Sequence, residues 1–185
     1  MKEDFYKPWK KYDLDILKNE NFYKYRSYSL YKLTESINKK NINMIEIGSY
    51  SGTSSNIFLL TGLVDKITCI DPWCSQIKEA ELKFDERYKN ETRVIKFKGT
   101  IDKYVVSKEF EDNKDIDLIY IDGNHNYEYV KNDILKTQQY IKPKYAISGH
   151  DYSEEKFPGV FKAVNELLGE PDIWYADHSW IKFLS

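Results

Sequence analysis

The chain has 185 residues, 41% apolar and 31% charged, with 28 basic against 30 acidic side chains and a formal net charge of -2. That length supports one domain able to remove roughly 70% of its unfolded surface from water. The balance excludes a polybasic nucleic-acid arm and a collagenous or low-complexity chain. In chain order, Met1-Lys2-Glu3-Asp4-Phe5 carries acids at once and has no apolar stretch, so no secretory signal is expected and a cytoplasmic location is the default. Lys7-Pro8-Trp9-Lys10-Lys11-Tyr12 is a short basic-aromatic run, which reads as solvated surface, so a nucleic-acid partner is disfavoured. From Asp13 to Asn38 the residues Leu14, Leu17, Phe22, Tyr25, Tyr28, Leu30 and Leu33 recur at loose helical spacing, which predicts one or two helices ahead of the core.

Met44-Ile45-Glu46-Ile47 then reads as a strand ended by Gly48, and Ser51 to Leu63 as a helix closing at a turn around Val64-Asp65. The alternation continues with a strand over Ile67–Asp71, a helix over Gln76–Tyr88, a strand over Arg93–Lys98 and a helix over Ile101–Phe110. Strands over Asp117–Asp122 and Lys144–Gly149 bracket a helix over Tyr127–Ile141. Pro158 and Gly169 mark the start and end of a last helix. The strands Ile173–Ala176 and Trp180–Leu184 are joined only by Asp177-His178-Ser179, too short for a crossover, so they form an antiparallel hairpin. The expected fold is therefore α/β: a doubly wound, Rossmann-like sheet of five parallel strands plus an antiparallel C-terminal hairpin, preceded by a helical extension. The longest apolar stretch, Ile57 to Val64, is broken by Thr61 and Gly62 and falls far short of the roughly 20 residues of a membrane span, so no membrane partner is expected. Cys69 and Cys74 read as a buried and a loop thiol, since neither a disulfide framework nor a zinc site fits two isolated cysteines.

In such sheets ligands bind beyond the carboxyl ends of the strands. The first turn, Glu46-Ile47-Gly48-Ser49-Tyr50-Ser51-Gly52-Thr53-Ser54, brings backbone amides and a helix start toward a ligand. It is neither the dinucleotide fingerprint nor a nucleoside-triphosphate loop, which disfavours a pyrophosphate and with it a nucleotide-dependent oxidoreductase. Asp71 closes the second strand about twenty residues past Gly48, where a carboxylate takes ribose hydroxyls. Glu46, Asp71, Asp122 and Asp151 together make an anionic crevice suited to a cationic nucleoside, although any one of them can equally be a helix cap.

Glu46-x-Gly48-x-x-x-Gly52-x-Ser54, Asp71-Pro72-Trp73, Asp122-Gly123-Asn124-His125-x-Tyr127-x-x-Val130-x-x-Asp133 and Ser148-Gly149-His150-Asp151-Tyr152 resemble the successive motifs of class I S-adenosylmethionine-dependent methyltransferases. The likeness is to the small enzymes carrying Asp-Gly-x-His and Gly-His-Asp-Tyr, and it runs from about Asn43 to the C-terminus. It implies residues 42–185 as the cofactor-binding domain, with residues 1–41 a helical extension and candidate lid over the substrate. It implies further that Gly48, Ser49, Gly52 and Ser54 wrap the amino-acid end of S-adenosylmethionine and that Glu46 supports its ammonium. Asp71 would hold the ribose, Trp73 would pack near the adenine, and Thr100 and Ile101 would border the adenine edge, with Asp122 closing the site. The segment is also similar to metal-dependent catechol-type O-methyltransferases. There the metal-binding Asp is followed at this interval by the general base, which implies Asp122 and His125 in those roles, and Asp122, His150 and Asp151 as ligands of Mg2+ or Mn2+. His150 and Asp151 can equally serve a loop hydrogen bond and a turn cap, and His178 reads as a solvated turn residue.

Members of this superfamily that methylate exocyclic amines or amides carry Asn/Asp-Pro-Pro-Tyr/Phe after the fourth strand, where this chain has Asp122-Gly123-Asn124-His125, so the resemblance implies an oxygen acceptor. The expectation is O-methylation of a small hydroxyl compound, such as a sugar or polyhydroxylated metabolite. A non-catalytic nucleoside-binding module is the competing reading, and homo-oligomerisation is left open.

Overall fold

The computed structural model describes residues 21–184, with side chains from Arg26 onward. Met1–Phe5, the Lys7–Tyr12 run and the start of the Asp13–Asn38 pattern lie outside the described residues. Helix α1 spans Asn21–Ser36; β1 is Ile42–Ile47, α2 Thr53–Leu60, β2 Val64–Asp71 and α3 Lys78–Tyr88, the last preceded by a tight 3-10 turn at Ser75–Ile77. Then follow β3 (Val94–Lys98), the short helices α4 (Ile101–Tyr104) and α5 (Lys108–Glu111), β4 (Leu118–Ile121), α6 (Tyr127–Lys136), β5 (Ala146–Gly149), α7 (Pro158–Leu168), β6 (Ile173–Trp174) and β7 (Trp180–Phe183).

One sheet carries all seven strands in the order β3-β2-β1-β4-β5-β7-β6. The first five pair in parallel, β7 pairs antiparallel with β5, and β6 closes the edge as the hairpin partner of β7. The expected doubly wound sheet with its C-terminal hairpin is the observed fold. Because both faces are covered, neighbouring residues of a strand enter opposite cores. Ile45, Ile47, Ile119 and Ile121 pack toward Val130, Ile134 and Val164. Met44, Leu118 and Tyr120 pack toward Leu30, Phe58 and Phe84. Burial on both sides is why these strands read as continuous apolar runs.

Local chemistry moves several boundaries. The helix expected to close near Val64-Asp65 ends at Leu60, because Gly62 turns at φ +69 and Val64 and Asp65 already belong to β2. The single helix expected over Ile101–Phe110 splits, as the Ser107 hydroxyl accepts the Phe110 N–H and starts a second turn. The helix over Tyr127–Ile141 finishes in a wide turn, Thr137–Ile141, stopped by left-handed Lys142. Pro158 opens α7 and Gly169 ends it, as the sequence indicates.

Strand order reverses between β1 and β4, which separates their carboxyl-end loops and opens a crevice between them. The functional side chains converge there.

Candidate active site

A cleft of ≈ 970 Å³ lies over the carboxyl ends of the parallel strands. Its floor is the turn after β1. Gly48 sits at φ +92, and a Cβ there would run into the backbone carbonyl of Asp122 and the Cα of Gly123, so only glycine lets the two loops meet. Its N–H donates to the Ile70 carbonyl at 2.8 Å, fixing the turn to β2. Gly52, at φ +76, leads into α2 beneath the rings of Tyr88 and Phe84; it shapes the turn without lining the cleft.

Ser49 and Ser54 line the cleft wall. The Ser49 hydroxyl is buried on the Glu46 side of the turn. Glu46, expected to support the ammonium, instead lies fully buried beneath the turn and does not line the cleft. Its carboxylate accepts from Ser54 Oγ at 2.5 Å and from Ser55 Oγ. Burial pushes this carboxyl above its ordinary value, while those hydroxyl bonds work against the shift.

Asp71 lines the cleft with its carboxylate held rigid: Oδ2 accepts the Tyr50 N–H at 2.9 Å and Oδ1 the Trp73 N–H at 2.8 Å. Each oxygen keeps a lone pair for a further donor such as a ribose hydroxyl. Trp73 does not stand in the cleft as expected. A left-handed backbone at φ 38 turns its ring into the core, where it packs on Phe84 at 4.8 Å and donates its indole N–H to the Tyr50 carbonyl at 2.7 Å. Pro72 and Ile77 line the cleft in its stead.

Thr100 and Ile101 form the far wall with Asp102, Asn132 and Asp133. Asn132 Nδ2 donates to Asp102 Oδ2 at 2.9 Å. Burial, with a smaller contribution from the charge of Asp102, pushes the Asp133 carboxyl up to about 7. An unfolded Asp titrates near 4. Between those values the folded chain holds a proton that the unfolded chain has lost, so this group's contribution to stability falls as pH rises and stays lost above about 7. Asp133→Asn removes that dependence. Urea unfolding at pH 5 and pH 8 is expected to show the variant gaining on the wild type by on the order of 3 kcal/mol across the interval; an unchanged difference would refute the assignment.

Four groups meet beside the β4 loop: Asp122 and His125 of that loop, Asp151 just after β5 and Arg26 of α1. His125 Nε2 stands 2.8 Å from Asp151 Oδ2. His125 is half exposed at the mouth and rests edge-on against Phe157 at 4.8 Å. Asp151, left-handed at φ 61, meets Asp122 and His125. Burial by itself would raise its carboxyl; the contact with His150 and the charges of His150, His125 and Arg26 bring it below its ordinary value. Asp122 is ion-paired with Arg26 of α1.

The expected ligand set Asp122, His150 and Asp151 is not the one brought together. His150 is buried behind Asp151, its Nδ1 2.9 Å from Asp151 Oδ1 but 3.9 Å from Asp122, and its Nε2 3.7 Å from Asp177. Among the described residues, Asp122, His125 and Asp151 place one ligand atom each within 4.8 Å of one another. One nitrogen and two carboxylate oxygens suit Mn2+, and Mg2+ with retained water, so this donor set fits a divalent ion. Arg26 and Asp133 are among the site residues that carry no role in the sequence reading: Arg26 sits in no motif, and burial reveals the shifted proton of Asp133.

Residues 45–152 match the family described as "Methyltransferase domain". An uncharacterised protein of Acanthamoeba polyphaga mimivirus is 26% identical over 160 residues, covering 83% of this chain and 71% of that protein. Among solved structures, the O-methyltransferase of Bacillus cereus in complex with SAH superposes with a TM-score of 0.59 at 15% identity, over 97% of this chain and 86% of that one. The spermidine synthase of Thermotoga maritima gives 0.61 at 13%, over 89% and 59%. These likenesses concern the fold, and the family match spans the first glycine turn, the second-strand Asp and the loops bearing His125 and His150. The chain belongs to the methyltransferase-domain family and is a class I S-adenosylmethionine-dependent methyltransferase.

Proposed function

We propose that the chain methylates a hydroxyl oxygen of a small, polyhydroxylated compound such as a sugar. The observation that carries this reading is the pairing of His125, which lines the cleft, with Asp151, beside Asp122. S-adenosylmethionine, when bound, supplies an electrophilic methyl group on a sulfonium. The chain's own residues position and deprotonate. Ser49, Ser54 and the β1 turn would receive the amino-acid end, Asp71 the ribose, and Thr100 and Ile101 the adenine edge. The cleft's carboxylates, Asp71, Asp102, Asp122, Glu128 and Asp133, favour a cationic over a phosphorylated ligand.

With His125 Nε2 engaged by Asp151, Nδ1 is the nitrogen left to take the acceptor's proton, and Asp151 stabilises the imidazolium that forms. The second reading is metal assistance, favoured by the convergence of three donors. Asp122, His125 and Asp151 would hold a divalent ion, which when bound lowers the pKa of a coordinated hydroxyl. His125 would then act as ligand in place of base. The segment ahead of β1, residues 1–41, is proposed as the wall or lid on the acceptor side, since α1 already contributes Arg26 to the cleft. No helix among the described residues is long and apolar enough to cross a membrane.

The test is incubation with S-adenosylmethionine and a panel of sugars, polyols, catechols and amines, with and without Mn2+, reading S-adenosylhomocysteine release and the mass gain of one methyl group. Transfer to a hydroxyl is expected. Transfer confined to amines would overturn the oxygen-acceptor reading, and a rate indifferent to chelation would remove the metal.

A further inference from the structure

The acceptor end of the cleft contains a cation of its own. Arg26 is the only lysine or arginine among the described residues lining the cleft. It comes from α1 on the far side of the sequence from its partner, and its Nη2 donates to Asp122 Oδ2 with both side chains mostly buried. A guanidinium held purely for structure satisfies its donors, yet Arg26 Nε is buried without a partner, and among the described residues Asp122 is the acceptor that holds the group. Asp122 is also one of the three donors that meet with His125 and Asp151.

A divalent ion at those donors would take an oxygen of Asp122 and would stand within a few ångströms of the guanidinium that the same carboxylate holds. Like charges at that separation repel strongly in a half-buried site. His125 and Asp151 raise no comparable obstacle, because a metal replaces the contact between them with bonds to both.

We propose that Arg26 and a divalent cation are mutually exclusive partners of Asp122, so that the chain's own arginine serves as the counter-cation of the metal-free site and a metal ion binds only by displacing it. This rests on the metal-assisted reading above. Displacement would release the α1 arginine from the β4 loop, which couples metal loading to the position of the N-terminal segment.

The test is titration of the full chain with Mn2+, free and bound ion being distinguished by electron paramagnetic resonance, for wild type, Arg26→Met, Arg26→Lys and the Arg26→Met/Asp122→Asn double variant. Arg26→Met is expected to bind Mn2+ at least about tenfold more tightly than wild type, a 1.4 kcal/mol change. Arg26→Lys keeps a cation and is expected to stay near wild type, and the double variant to lose the gain. Equal Mn2+ affinity in wild type and Arg26→Met overturns the proposal, as does equal tightening by Lys and Met, or absence of Mn2+ binding in both. S-adenosylhomocysteine binding by the same samples reports folding and the cofactor site separately. Its retention alongside a negative Mn2+ result leaves the methyltransferase assignment standing while this inference fails.

Discussion

Gly48→Ala is expected to weaken S-adenosylmethionine binding by at least about a hundredfold and to destabilise the fold by about 3 kcal/mol. Two costs coincide at this position. The residue is held at φ +92, where an L side chain is strained, and the added methyl would occupy the space of the Asp122 carbonyl and the Gly123 Cα. Neither obstacle is a flexible side-chain end. Relief requires the β1 and β4 loops to separate, and these two loops form the floor of the cleft. Gly62→Ala provides the control: it has a similar φ of +69 but nothing within 4 Å of its Cβ. It is expected to cost about 1 kcal/mol of stability and no cofactor affinity. Urea unfolding and calorimetry on the two variants separate strain from collision, and equal behaviour would contradict the close approach at Gly48.

The second large effect is at His125. His125→Gln is expected to lower kcat by roughly 10²- to 10⁴-fold, the range for loss of a positioned base, with S-adenosylhomocysteine affinity within about twofold of wild type. The side chain is half exposed and packs on Phe157 only at its edge, so its loss leaves the core intact. Asp151→Asn is expected to give a smaller loss, about tenfold, and to shift the acidic limb of the pH profile, because Asp151 acts through the imidazole. Single-turnover rates over pH 5 to 9 read both. An unchanged kcat in His125→Gln would remove the base from the mechanism.

The strand and helix order was legible because burial on both faces leaves an unbroken apolar signature in Ile67–Ile70 and Leu118–Ile121, and because Gly and Pro punctuate the turns. Placement at the strand ends was legible too, since Asp71 closes a strand and Gly48, Asp122 and Asp151 follow strands whose carboxyl ends the topology brings to one edge. Side-chain direction was not. Trp73 shares a motif with Asp71, yet a single left-handed residue sends its ring to the other side of the sheet end. His150 and Asp151 are neighbours, but the backbone reversal at Asp151 turns one toward Asp177 and the other toward His125. Glu46 lies at the right depth along β1 but beneath the turn, where two serines on α2 consume its oxygens. Arg26 was invisible for a different reason: its partner is 96 positions away, and a loose apolar pattern says nothing about which polar residue of a helix will face a cleft.

The most direct test of the site is calorimetric titration of the metal-stripped full chain with S-adenosylmethionine, for wild type and Asp71→Ala. Saturable one-to-one binding by the wild type, lost in the variant because the rigid carboxylate between Tyr50 and Trp73 is gone, is the expected result. Full-strength binding in Asp71→Ala, or none in the wild type, would contradict the placement of the cofactor in this cleft.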